Sequence, residues 1–234
     1  MWEKTLENHY YGKLSRKDHY HGEGDNYLNA VYSPVFPIGF DHDSDPKSSI
    51  MGRPWFEREI LNLSLNAIAG EGLGNDLDPD LLFIGFSAMD WIIHDYGPFS
   101  QEVMDAFLKL DRYLGTFINR LDDIVGLDNV LFVLTADHGG LPLPEYVVEQ
   151  GGIGGRINDA HFKEALQWID EEFEERLGNK FYHREGANFF LDKKKMRTEN
   201  IIIDTVYNVV SQYLLNVEGI EKMIIKDSIL ASNS

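Results

Sequence analysis

Two short apolar runs, each leading into residue types that bind metal, constrain this chain more than any other feature. Asp80 to Phe86 (DLLFIGF) leads into Asp90 and His94, and Val130 to Leu134 leads into Asp137 and His138 (VLFVLTADHGG). A continuous apolar run of strand length reads as a strand buried on both faces, as in a parallel sheet covered by helices. Ligands just past the C-terminal end of such a strand have a rigid support, at the edge where open α/β sheets place their sites.

The stretch between the runs predicts one crossover helix. Ser100 is a good N-cap, and Gly126 a good stop. Val103, Phe107, Leu110, Leu114, Ile118 and Leu121 recur at steps of three and four, which leaves Asp105, Lys109, Asp111 and Arg120 for solvent. Strand, helix, strand at this spacing predicts a right-handed βαβ unit. Both ligand pairs would then leave the sheet at the same end.

Upstream, Pro54 to Ile68 reads as a helix with Pro54 in its first turn, ended by GEGLGNDLDP. Residues 1 to 50 show no sustained periodicity and predict a solvated loop. His19, His21, Asp41, His42, Asp43 and Asp45 are read there as loop residues, because no spacing among them matches a ligand pattern. Downstream, GGIGG (151–155) lacks the preceding strand and the following Lys-Ser/Thr of a P-loop, so it reads as a connector. Asp159 to Leu177 predicts a helix, Asn188 to Asp192 a strand, Asn200 to Leu215 a helix, and Met223 to Ile225 a strand. The chain thus divides into a core at 1–155 and a helix–strand–helix–strand insert at 156–234.

Composition removes several classes of function. A net charge of -18 leaves no surface for polymeric nucleic acid or an anionic membrane. It still permits a small phosphate ester, because bound divalent cations reverse the local field. With no Cys, a zinc site here must use His and carboxylate. No stretch is long and apolar enough to span a bilayer.

Asp90 and His94 are four apart, so on a helical turn both face one way and could bind one Zn²⁺ at ~2.0–2.2 Å. Asp137 and His138 are neighbours whose side chains diverge unless the backbone turns, which Gly139 and Gly140 permit. Alone, either pair is an ordinary helix or loop feature. Two pairs at the ends of two strands joined by one crossover point to metal.

The stretches FSAMDWIIHDYGP and LTADHGG, with LDRYLGTFINRLD between them, closely resemble the alkaline phosphatase superfamily. The nearest branches are the type I phosphodiesterase/nucleotide pyrophosphatases and the related phosphate-irrepressible bacterial alkaline phosphatases. The resemblance implies an α/β/α sandwich with a mostly parallel sheet and a small α+β insert. It implies two zinc ions, one held by Asp90 and His94 and the other by Asp137 and His138. It also implies a small phosphate mono- or diester as substrate and a periplasmic or extracellular location. Ser87 would support the ligand turn, and Thr135 would orient Asp137. A sulfatase, a phosphomutase or an inert binding module are the alternatives, and the oligomeric state is left open.

Two parts of the family pattern have no match. No Asp followed by a Thr or Ser nucleophile precedes Asp80, and no late His follows, since His161 and His183 fall in the insert. The resemblance therefore implies an internal piece of a longer protein, with its nucleophile upstream and little activity by itself.

Overall fold

The computed structural model describes residues 1–23, 35–39 and 50–226. His42, Asp41, Asp43 and Asp45 lie outside the described residues. The chain forms two compact units, Met1–Gly154 and Gly155–Ser234.

Three helices build the core of the first unit. Pro54 starts α2 (Pro54–Glu71), and Gly72, at φ 70°, ends it in the left-handed conformation that glycine adopts without strain. α3 spans Ser87–Tyr96, and α4 spans Gln101–Val125. The Ser100 hydroxyl caps α4 by accepting the Val103 N–H at 3.0 Å. Leu61, Leu65 and Ile68 of α2 pack on Phe117 and Leu121 of α4, while Met89, Ile92 and Tyr96 of α3 pack on Val103, Ala106 and Leu110.

The opening of the chain is more ordered than its composition predicts. It contains a short helix, α1 (Asn8–Leu14), and Trp2, Tyr11 and Ile38 are all fully buried. Trp2 and Ile38 exchange both backbone hydrogen bonds, at 2.7 and 2.9 Å. This segment covers a flank of α4 expected to face water. Asp105 is consequently buried, and it accepts from Trp2 Nε1, the Thr5 N–H and the Tyr11 hydroxyl, all at 2.6 Å. Phe107, expected inside, is exposed, while Phe117, outside the expected stripe, is buried beside the half-buried Ile118.

Among the described residues the two apolar runs pair in no ladder, and several of their side chains face solvent: Phe83 is 85% and Leu134 90% exposed. Burial of both runs was the expectation. A strand buried on both faces needs neighbours at both edges and cover on each side. Here only Ile84, Phe86 and Val130 reach the helical core. Among the described residues the one sheet is a hairpin in the second unit.

A short helix, α5 (Pro144–Glu149), comes late in the first unit. In the second unit Asn158 caps α6 (Asp159–Leu177), which is followed by β1 (Tyr182–Glu185) and β2 (Asn188–Leu191), paired antiparallel. Two helices follow, α7 (Lys193–Thr198) and α8 (Ile203–Leu214). Ile169, Phe173, Phe181, Val206, Val209 and Val210 form the core. Met223–Ile225, expected as a strand, has no ladder partner among the described residues, whereas β1, without alternation in YHRE, was not anticipated.

Candidate metal centre

Each ligand pair has its own local frame. α3 starts where the first extended run ends, and it places Asp90 in its first turn and His94 in its last. Four residues make about one helical turn, so the two side chains share a face, with His94 Nε2 3.5 Å from Asp90 Oδ1.

The second pair lies in the loop after residues 130–136. The Asp137 carboxylate accepts the His138 N–H at 3.0 Å. His138 Nδ1 stands 3.1 Å from the Gly139 carbonyl oxygen; the tautomer that donates there carries its lone pair on Nε2. That Nε2 lies 3.5 Å from Asp137 Oδ2 and 3.8 Å from Asp90 Oδ1. The four side chains thus converge, with Asp90 between the two imidazoles.

These spacings suit a cation better than direct hydrogen bonds. Two donors on one tetrahedral zinc, each about 2.0–2.1 Å from it, stand about 3.3 Å apart. The 3.5 Å separation within each pair is close to that edge and too long for a good N–H···O bond. All four side chains are about half exposed or more. Among the described residues, however, no group of three or more His, Asp or Glu side chains is placed to hold a metal ion. The arrangement is open toward solvent.

The glycines after His138 work differently from the expected sharp turn. Neither Gly139 nor Gly140 has positive φ. Instead, Gly140 lies against α3, where a Cβ would come within 2.6 Å of Ile93 Cγ2. Gly140 therefore lets the second loop approach the helix that carries the first pair.

Ser87 opens α3 and is exposed. The Thr135 hydroxyl donates to the Ala136 carbonyl at 3.4 Å, so that hydrogen bond stays on the loop backbone. In the second unit, His161 lies in the first turn of α6, and His183 stacks on Phe190 across the hairpin at 4.9 Å. His19 and His21 line a groove of about 690 Å³ with Arg16, Tyr20 and Tyr146.

Two groups that frame α3 escape sequence reasoning. Glu57 of α2, fully buried, accepts the Ala88 N–H at 2.6 Å and the Met89 N–H at 3.2 Å. Arg16 donates to the Tyr96 carbonyl at the other end of the helix and pairs with Glu23. One signal for Glu57 exists: it lies on the apolar stripe of Leu61 and Leu65, four and eight residues on. Nothing in the sequence marks Arg16.

The sequence profile of type I phosphodiesterase/nucleotide pyrophosphatase matches residues 5–214. Alkaline phosphatase PafA of Elizabethkingia meningoseptica is 36% identical over 120 residues, covering 50% of this chain and 22% of that protein. Alkaline phosphatase PhoV of Synechococcus elongatus is 35% identical over 123 residues, 52% of this chain and 22% of that protein. The crystal structure of wild-type PafA matches with a TM-score of 0.74 at 25% identity, covering 100% of this chain and 44% of that one. The fold is thus part of an alkaline-phosphatase-like α/β architecture, and the chain spans less than half the length of its solved relative. The profile match runs through both ligand pairs and through most of both units, and on that evidence the chain belongs to the type I phosphodiesterase/nucleotide pyrophosphatase family.

Proposed function

We propose that this chain carries the metal-ligating part of a phosphoric ester hydrolase that works with two zinc ions. The observation that most supports this is the position of Asp90, whose Oδ1 lies 3.5 Å from His94 Nε2 and 3.8 Å from His138 Nε2. Asp90 and His94 would hold one ion, and Asp137 and His138 the other.

When bound, two such cations about 3.5–4 Å apart clamp a phosphoryl group, activate an attacking oxygen and stabilise the leaving one. The residues themselves do the rest. Asp90 and Asp137 supply the negative charge that holds cations. His138 is oriented by its contact with Gly139, and α3 fixes the separation of Asp90 and His94. The open face leaves room for an ester.

Charge decides the class of substrate. A chain with net charge -18 repels anions, so an ester would be captured only where cations reverse the field. This favours a small mono- or diester over polymeric nucleic acid. No nucleophile is assigned to this chain. A periplasmic or extracellular location belongs to the same proposal. Among the described residues no helix is long and apolar enough to cross a membrane. We also assign the extended runs 80–86 and 130–136 to inner positions of a parallel sheet, and the second unit to the role of insert.

Calorimetric titration with inorganic phosphate, with and without zinc, tests the reading. Phosphate should bind the zinc-loaded chain, and neither the zinc-free chain nor D90N. Equal binding with and without zinc, or none in either state, would contradict it.

A further inference from the structure

We infer that Glu57 is a positioning residue for the metal centre: its carboxylate closes the first turn of α3 and so sets where Asp90 and His94 stand. The inference rests on the metal-dependent reading above. A helix starts with four backbone N–H groups that have no partner inside it. Usually a Ser, Thr, Asp or Asn at the N-cap accepts from them. The N-cap of α3 is Phe86, with no side-chain cap. Glu57 supplies the acceptor from another helix, reaching the N–H groups of Ala88 and Met89 at 2.6 and 3.2 Å. Asp90 is the next residue.

The anchor is itself held firmly. Glu57 is fully buried on the face of α2 that carries Leu61, Leu65 and Ile68. A negative group at a helix N-terminus gains from the aligned peptide dipoles. Against that, Glu57 Oε2 is buried without a hydrogen-bond partner among the described residues, a costly arrangement. Burial pushes the Glu57 carboxyl above its ordinary pKa, although the two N–H bonds pull it down. A greasier residue would fill this place at lower cost if packing were the only demand.

The C-terminal end of α3 is tied as well, by Arg16 on the Tyr96 carbonyl. Hydrogen bonds at both ends of the ten-residue helix oppose its sliding or turning. A one-residue slip would rotate Asp90 by about 100° about the helix axis and away from His138. Metal ligands must be held to within about 0.5 Å, which a loosely started helix does not do.

The test compares the wild-type chain with E57Q and E57M. Gln keeps an oxygen acceptor; Met fills similar space and removes it. Zinc affinity and amide exchange at Ala88 and Met89 are both measured. E57Q should bind zinc within about threefold of wild type, while E57M should bind at least about tenfold more weakly, the loss typical when a ligand's supporting partner is removed. Exchange at Ala88 and Met89 should quicken in E57M alone. Unchanged exchange and affinity in E57M would overturn the inference, as would E57Q behaving like E57M. A wild type that takes up no zinc overturns the metal reading instead. The exchange measurement then judges the cap by itself: lost protection in E57M supports it, and retained protection overturns it.

Discussion

Gly140 sits so close to Ile93 that a Cβ on it would lie 2.6 Å from Ile93 Cγ2. This contact joins the loop of His138 to the helix of Asp90 and His94. Gly140→Ala should therefore push the loop away and weaken zinc binding by about tenfold, with little change in the melting of the chain. Ile93→Ala in the same chain removes the clashing atoms and should recover most of the loss. A double-mutant cycle of zinc affinities checks this coupling, and additive losses would show that the contact does not matter.

Asp105 ties the N-terminal segment to α4. Its carboxylate accepts from Trp2, Thr5 and Tyr11 and pairs with Lys109 at 2.8 Å. Burial opposes its ionisation, but these four donors outweigh burial and hold the carboxyl below the usual Asp range. Its stabilising contribution is therefore full above the ordinary Asp pKa and is lost as pH falls through the lowered one. Asp105→Ala should cost about 3–5 kcal/mol in urea unfolding at pH 7, as expected when one partner of a buried ion pair is removed. Amide exchange at Thr5 should rise with it. A loss below about 1 kcal/mol would mean that the segment is held by packing alone.

Glu102 is the opposite case. It is fully buried, neither oxygen has a hydrogen-bond partner among the described residues, and burial with the nearby Glu23 charge raises its pKa to about 9. Below the ordinary Glu value both folded and unfolded chains are protonated, so nothing is lost. Between that value and about 9 the unfolded chain releases the proton while the folded chain keeps it, so stability falls as pH rises. Glu102→Gln removes this slope. It should melt close to wild type at pH 4.5 and be more stable by roughly 2–4 kcal/mol at pH 8. Thermal melts across that range check it; parallel curves for the two proteins would contradict it.

The bounds of α4 were legible because its ends are written in local chemistry: a Ser that caps and a Gly that stops. The pairing of Asp90 with His94 follows from helical periodicity in the same way. What the sequence hides is who covers whom. An amphipathic stripe describes one buried face, and α4 has a second under Trp2 and Tyr11, so Asp105 is inside where water was expected. Glu57 escapes for the same reason, since its hydrogen-bond partners are thirty-one and thirty-two residues away. The runs at 80–86 and 130–136 show the converse limit. Apolar composition states that a strand is suited to burial, but not which neighbours supply it.

Those runs carry a prediction of their own. Segments without a ladder partner among the described residues, with exposed Leu81, Phe83, Leu131 and Leu134, are templates for association. Phe83→Lys with Leu131→Lys should delay aggregation of the chain, followed by light scattering. Stability should change by less than about 0.5 kcal/mol, as for ordinary surface positions. A large cooperative loss of stability would show these side chains to be buried.

The most direct measurement is a zinc titration of the uniformly ¹⁵N-labelled chain, followed through the imidazole nitrogens. His94 and His138 Nε2 should shift on zinc addition while His161 and His183 stay in place, and Asp90→Asn should abolish the His94 shift. Shifts at His161 or His183 with His94 and His138 unmoved would contradict the zinc assignment.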